Sequence, residues 1–205
     1  MAHAGALHTE NVMLPPRTRA AGAGVYNEKL GMWIFLGSEV MFFTALIGTY
    51  VILRFAHPES WKPPGVVLNI RVTAVNTFLL ICSSVTMVKA FAAAQDDLQK
   101  QLRLWLLATV LIGATFVGVQ VYEYRHLIEK GFVPSEGLYG STFYTMTGFH
   151  GFHVTIGVLC MIFVTIKAFR GRYTKTDHRG VEVIGLYWHF VDLVWIILFT
   201  IVYLI

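Results

Sequence analysis

Five long apolar runs, near positions 30–53, 72–94, 102–124, 139–169 and 183–205, decide what this 205-residue chain can become. Crossing about 30 Å of hydrocarbon takes roughly 20 apolar residues at ~1.5 Å each, and every run is long enough. In a bilayer each backbone N–H and C=O needs an internal partner, so runs of this length fold as helices. The connections are short and carry breakers or charge: Pro58, Pro63, Pro64 and Gly65 in the first, Gln95, Asp96 and Asp97 in the second, positions 134–137 in the third and the basic stretch 170–179 in the fourth. The expected fold is an all-α membrane protein, a bundle of five transmembrane helices over 30–205 behind a flexible arm at 1–29.

Composition narrows the class further. With 56% hydrophobic and 14% charged residues, the chain has too little polar surface to clothe a soluble globule. The net charge of +4 lies in the gaps between runs rather than in one stripe, which argues for membrane topology and against nucleic acid as a partner. Eleven lysines and arginines fall on the side of the N-terminus and five on the other, completing the sixteen. The positive-inside rule therefore puts the N-terminus in the cytoplasm and the C-terminus outside. Trp105 and Trp188 at the inner edge, with Tyr122, Tyr124, Tyr139 and Tyr203 at the outer one, read as an aromatic belt. Cys82 and Cys160 both lie in apolar runs and read as packing residues. Before position 30 there is no apolar segment with a cleavage site, and His3 and His8 of the arm are expected to be solvated. Three small-xxx-small pairs, Thr44 with Gly48, Ala114 with Gly118 and Thr147 with Gly151, mark expected close helix approaches.

Chemistry, if any, must come from the polar groups inside the runs. Glu39 lies about nine residues into the first run, ~14 Å deep, and Asp192 is as far into the fifth from the same side. The fourth run descends from the other side, so His150 and His153 end near mid-membrane, level with both carboxyls. His189 and Asp192, three apart, share one face of a helix. An Asp facing lipid at a helix centre costs roughly 2.5–3.5 kcal/mol, so these groups must face protein. Three uses compete: hydrogen-bonding glue between helices, a proton path through Glu39 or Asp192, and a di-metal carboxylate site built on Glu123 with His126, extended by His150 and His153. The metal reading lacks a second Glu-x-x-His pair, and a transporter reading lacks an obvious inverted repeat.

The order of the polar and aromatic groups carries a resemblance. Ser38 to Phe43, Tyr139 to Phe143, Gly148 to Val154 and Tyr187 to Asp192, together with Asn76, Thr77, Gln120, Glu123 and Tyr124, resemble subunit III of haem-copper oxidases, in order from Leu30 onward. The resemblance implies a noncatalytic subunit of a proton-pumping terminal oxidase, of the cytochrome c oxidase aa3 or caa3 type, in a bacterial inner membrane. Subunit III of a bo-type quinol oxidase and a nitric oxide reductase accessory protein are the alternatives. By resemblance, haem and copper sit in partner subunits and none in this chain, the main contact is oxidase subunit I among other oxidase subunits or a respiratory supercomplex, and phospholipid can bind. It carries the family's buried glutamate to Glu39, its His-Gly-x-His element to His150, Gly151 and His153, and its Trp-His-x-x-Asp element to Trp188, His189 and Asp192, as modulators of proton uptake or members of a buried polar layer. Ser38, Asn76, Thr77, Gln120, Glu123, Gly148, Gly151, Tyr187 and Trp188 are carried over as structural positions. Seven-span members have two further N-terminal helices, which the sequence before Leu30 does not offer.

Overall fold

The computed structural model describes residues 26–61 and 68–204, where all regular structure is helical apart from an isolated bridge between Thr174 and Asp177. Five helices are long and apolar enough to cross a membrane: α1 (Asn27–Ala56), α2 (Ile70–Gln95), α3 (Gln99–Glu129), α4 (Leu138–Phe169) and α5 (Arg179–Phe199), the last continuing as a π-helix over Thr200–Leu204. Most helix ends lie a few residues beyond the apolar runs, because residues such as Asn27 and Lys29, or Arg125 to Glu129, keep helical hydrogen bonds once they reach the headgroup level. Most of the expected arm, with His3 and His8, and the Pro63, Pro64 and Gly65 cluster lie outside the described residues.

Three helices end with one device. After α3 the Phe132 N–H bonds the Leu127 carbonyl (3.0 Å), and after α4 the Arg172 N–H bonds that of Lys167 (3.1 Å). These are Schellman closures, and each needs a left-handed residue between, supplied by Gly131 (φ +82°) and Gly171 (φ +67°). After α2 the same bond runs from Leu98 N–H to the Ala93 carbonyl (2.9 Å), with Asp97 in the left-handed position at φ +59°. Asp tolerates this conformation better than other non-glycine residues. α1 ends instead at Pro58, whose ring disfavours the helical conformation of His57.

α2, α3, α4 and α5 form a closed ring in which each packs on the next with alternating direction, and α1 lies outside against α5 and α4. Within α1 the covered side is Lys29, Met32, Leu36, Glu39, Phe43, Leu46, Tyr50 and Leu53, spaced alternately by three and four residues. That alternation is a coiled-coil seam and fixes the face α1 turns inward. Phe42, Ile47 and Val51 flank this seam and are partly covered, while most of the remaining α1 surface is apolar and exposed: 6% of its most apolar window is buried, against 50% for α5.

Large side chains of α5 reach into the centre of the ring. The Trp188 side chain slots between α3 and α4, where a Cβ on Gly113 would come within 2.7 Å of its Cη2 and one on Gly157 within 3.1 Å of Cε3. These two glycines let the indole lie between the two helices. Gly48 and Gly118, marked by the small-xxx-small pattern, have nothing within 4 Å of an added Cβ. Their helices turn those faces outward. Trp188, Tyr139 and Tyr203 are buried, so they are core residues rather than belt residues, while Tyr122 is exposed as a belt residue should be.

Candidate functional site

α2 is the polar spine of the ring. Its inward residues Thr73, Asn76, Thr77, Ser83 and Ser84 each reach a neighbouring helix. Asn76 Nδ2 donates to the Phe116 carbonyl of α3 (3.2 Å). Thr77 Oγ1 accepts from Trp195 Nε1 and Ser83 Oγ from Trp188 Nε1, each at 2.9 Å, which ties α5 to α2 at two depths. Each hydroxyl also lies within hydrogen-bond distance of a carbonyl one turn back on its own helix, so one group answers two needs. Between α3 and α4, Gln120 Nε2 donates to the Thr147 carbonyl (3.1 Å), and Tyr124 donates its hydroxyl to Thr147 Oγ1 (2.6 Å), whose own proton goes to the Phe143 carbonyl. A Cβ on Gly151 would meet the Gln120 amide at 3.1 Å, which accounts for the glycine.

The sequence lets Glu39, His153 and Asp192 lie at similar depth, with His150 near mid-membrane and His189 on the face of Asp192, and the structure sorts the five into three settings. Glu39 of α1 meets His153 of α4, with Oε2 and Nε2 3.0 Å apart and both side chains little exposed at 15% and 13%. The contact is at ion-pair distance without hydrogen-bond alignment, and buried Oε2 has no hydrogen-bond partner among the described residues. His153 Nδ1 lies 2.7 Å from the Phe149 carbonyl oxygen. A carbonyl only accepts, so Nδ1 carries a hydrogen. Nε2 then either carries a second hydrogen against a carboxylate or is bare against a protonated carboxyl. A bare Nε2 beside a carboxylate would set lone pair against charge.

Asp192 joins a second group, apart from that pair. Its Oδ2 accepts from Ser84 Oγ (2.6 Å), and His189 Nδ1 lies 3.2 Å from the same oxygen of Ser84. With the serine proton committed to Asp192, Ser84 Oγ accepts from His189 Nδ1–H. Asp192 is 6% exposed, and its Oδ1 has no hydrogen-bond partner among the described residues. Nothing in the sequence singles out Ser84, since serines are common in membrane helices.

His150 stands alone in an aromatic box. It is fully buried, stacks on Trp195 with ring centroids 4.8 Å apart, and meets the edges of Phe43 and Phe116 at 6.3 Å. Neither ring nitrogen has a hydrogen-bond partner among the described residues. Tyr187 links the settings by donating to the His153 carbonyl (2.9 Å).

Glu123 and His126 do not converge. Glu123 turns inward and accepts from Thr73 Oγ1 (2.6 Å), whereas His126 points out beside Glu129 at 3.8 Å. Among the described residues no three His, Cys, Asp or Glu side chains gather as a metal site would need. Ser38 bonds the Phe35 carbonyl of its own helix, and an added Cβ on Gly148 would meet nothing within 4 Å.

At the end of the bundle where α1 starts, Lys29 Nζ lies 2.5 Å from Glu182 Oε1 of α5, and the Tyr26 hydroxyl donates to Glu182 Oε2 (2.7 Å). Burial first, then the bond to Glu182, raises the Tyr26 pKa, so the phenol stays a donor. At the opposite end Arg54 Nη1 donates to the Ile201 carbonyl (3.4 Å). α1 is thus fastened by polar contacts at its two ends and its middle.

A multi-pass helical membrane protein with paired ionisable groups at mid-depth is the class these features define. Residues 7–205 match the family model described as Cytochrome c oxidase subunit III. The chain is 41% identical over 176 residues to Cytochrome c oxidase subunit 3 of Thermostichus vulcanus, covering 85% of this chain and 86% of that one. It is 41% identical over 177 residues to the Probable cytochrome c oxidase subunit 3 of Mycobacterium tuberculosis (strain CDC 1551 / Oshkosh), covering 86% and 87%. With Cytochrome c oxidase subunit 3 of Alkalihalophilus pseudofirmus it shares 35% identity over 202 residues, 98% of this chain and 97% of the relative. The chain belongs to the cytochrome c oxidase subunit III family.

Proposed function

We propose that the chain is the noncatalytic subunit III of a proton-pumping cytochrome c oxidase of the aa3 or caa3 type in a bacterial inner membrane. In this reading haem and copper are held by partner chains, subunit I is the main contact, and the N-terminus is cytoplasmic. The observation that carries the functional part is the close approach of Glu39 and His153, 3.0 Å apart with both side chains little exposed. A carboxyl and an imidazole this close and this sheltered influence proton uptake nearby through their placement, without either being an obligatory carrier.

Glu39→Ala in the purified oxidase tests this. The complex assembles with its haem and this subunit present, while proton uptake slows mildly or the enzyme inactivates earlier during turnover. Complete loss of oxygen reduction in an assembled complex refutes a modulating role. A wild-type chain that never copurifies with haem refutes the oxidase assignment.

A further inference from the structure

His150 is wholly buried, and neither ring nitrogen meets a hydrogen-bond partner among the described residues. A neutral imidazole carries one N–H and one bare nitrogen, so it calls for an acceptor and a donor at once. An apolar ring of the same shape would fill the space without that desolvation penalty. Two further orphaned atoms lie within about a helical turn. Asn76 Nδ2 bonds the carbonyl of Phe116, whose ring stands edge-on to His150, and Asn76 Oδ1 is buried without a partner. Gln120, one turn along α3 from Phe116, gives its Nε2 to the carbonyl of Thr147, three residues before His150 on α4. Its Oε1 is likewise buried and unanswered among the described residues.

The three side chains come from α2, α3 and α4 and share one layer of the ring. Turning either amide over would not help, because its oxygen would then face a carbonyl oxygen. There is also slack around the imidazole. Its centroid lies 6.3 Å from the rings of both Phe43 and Phe116, whereas Phe116 meets the larger Trp195 indole edge-on at 5.0 Å. One face of the imidazole is closed by Trp195 at 4.8 Å, so the loose packing is at its perimeter, where the nitrogens are.

We propose that His150, Asn76 and Gln120 bound an internal water-binding site in the core of the ring. A water molecule matches what these groups lack: it accepts from the imidazole N–H and donates its two protons to Asn76 Oδ1 and Gln120 Oε1. Three hydrogen bonds is the usual number for a buried water. The bare nitrogen is left over, and an unmet acceptor is tolerated more readily than an unmet donor. The site belongs to the chain's own core, and it joins α2, α3 and α4 one turn of α4 from the Glu39–His153 contact.

X-ray radiolysis of the purified membrane complex in ¹⁸O-labelled water, read by mass spectrometry, tests for it. Radiolysis of a bound water releases hydroxyl radical on the spot and oxidises the side chain beside it, however well buried. Trp195, stacked on His150, and Trp188, two turns away on α5 and wedged between Gly113 and Gly157, are 2% and 1% exposed, so bulk radical reaches neither. Trp195 should take up ¹⁸O roughly fivefold faster than Trp188, because it alone lies beside the site. Equal rates in the unaltered protein overturn the proposal. His150→Phe keeps the ring shape without a polar atom and should bring Trp195 down to the Trp188 rate. Fast labelling of Trp195 that persists in this variant would mean that His150 does not hold the water, and overturns the proposal as well.

Discussion

Gly113→Ala puts one methyl group into a tight contact with the Trp188 ring. The new Cβ would lie 2.7 Å from Trp188 Cη2, 3.0 Å from Cζ2 and 3.1 Å from Val158 Cγ2. The indole cannot swing away, because Gly157 backs its other side and Nε1 is held by Ser83. Overpacking of this kind costs typically about 1–3 kcal/mol. If the ring shifts anyway, the Trp188–Ser83 bond adds roughly 0.6 kcal/mol, the average for side-chain bonds between membrane helices. Alanine offsets part of this through better helix propensity, about 1 kcal/mol on soluble scales. Gly118→Ala on the same helix supplies the correction, since its Cβ meets nothing. The difference between the two variants is therefore steric, about 2 kcal/mol or ~30-fold in the unfolding equilibrium. Equilibrium unfolding of the purified chain in mixed micelles, followed by tryptophan fluorescence, measures it. Gly113→Ala at least as stable as Gly118→Ala would refute the packing described for Trp188.

Two further outcomes follow from the polar contacts. Ser84→Ala removes the bridge between Asp192 and His189 and should destabilise the chain by about 1–2 kcal/mol in the same assay, while Thr115→Ala, whose hydroxyl only bonds its own helix, should stay within about 0.5 kcal/mol. Lys29→Ala removes a partly exposed ion pair, so its effect should be no more than about 1 kcal/mol, and unfolding compared at low and high salt should show the gap to wild type narrowing as salt rises.

The helices are legible in the sequence because apolar length is a one-dimensional property, and depth is legible because helical rise converts residue counts into ångströms. Spacing alone is therefore enough to set Glu39, His153 and Asp192 at one level. Rotation about each helix axis is not legible, and it decides partners: Asp192 turns to Ser84 of α2, not to Glu39 or His153. The same blindness makes Trp188 look like an interface residue, since position along the chain does not say which way an indole points. Gly48 and Gly118 carry the small-residue spacing yet face outward, while Gly113 and Gly157 matter only because a large ring from a third helix lies between them. That contact has no local signature. Ser84 escapes sequence reasoning on the same ground: its hydroxyl gains importance from two residues more than a hundred positions away.

The fastening of α1 has a consequence for biogenesis. Among the described residues the polar attachments of α1 lead to the last two helices made: Glu28 to Arg179, Lys29 to Glu182, Glu39 to His153 and Arg54 to Ile201. A nascent chain halted after α3 therefore holds a glutamate in the bilayer whose partner has not yet been synthesised, and α1 cannot reach its resting place until the ribosome has almost finished.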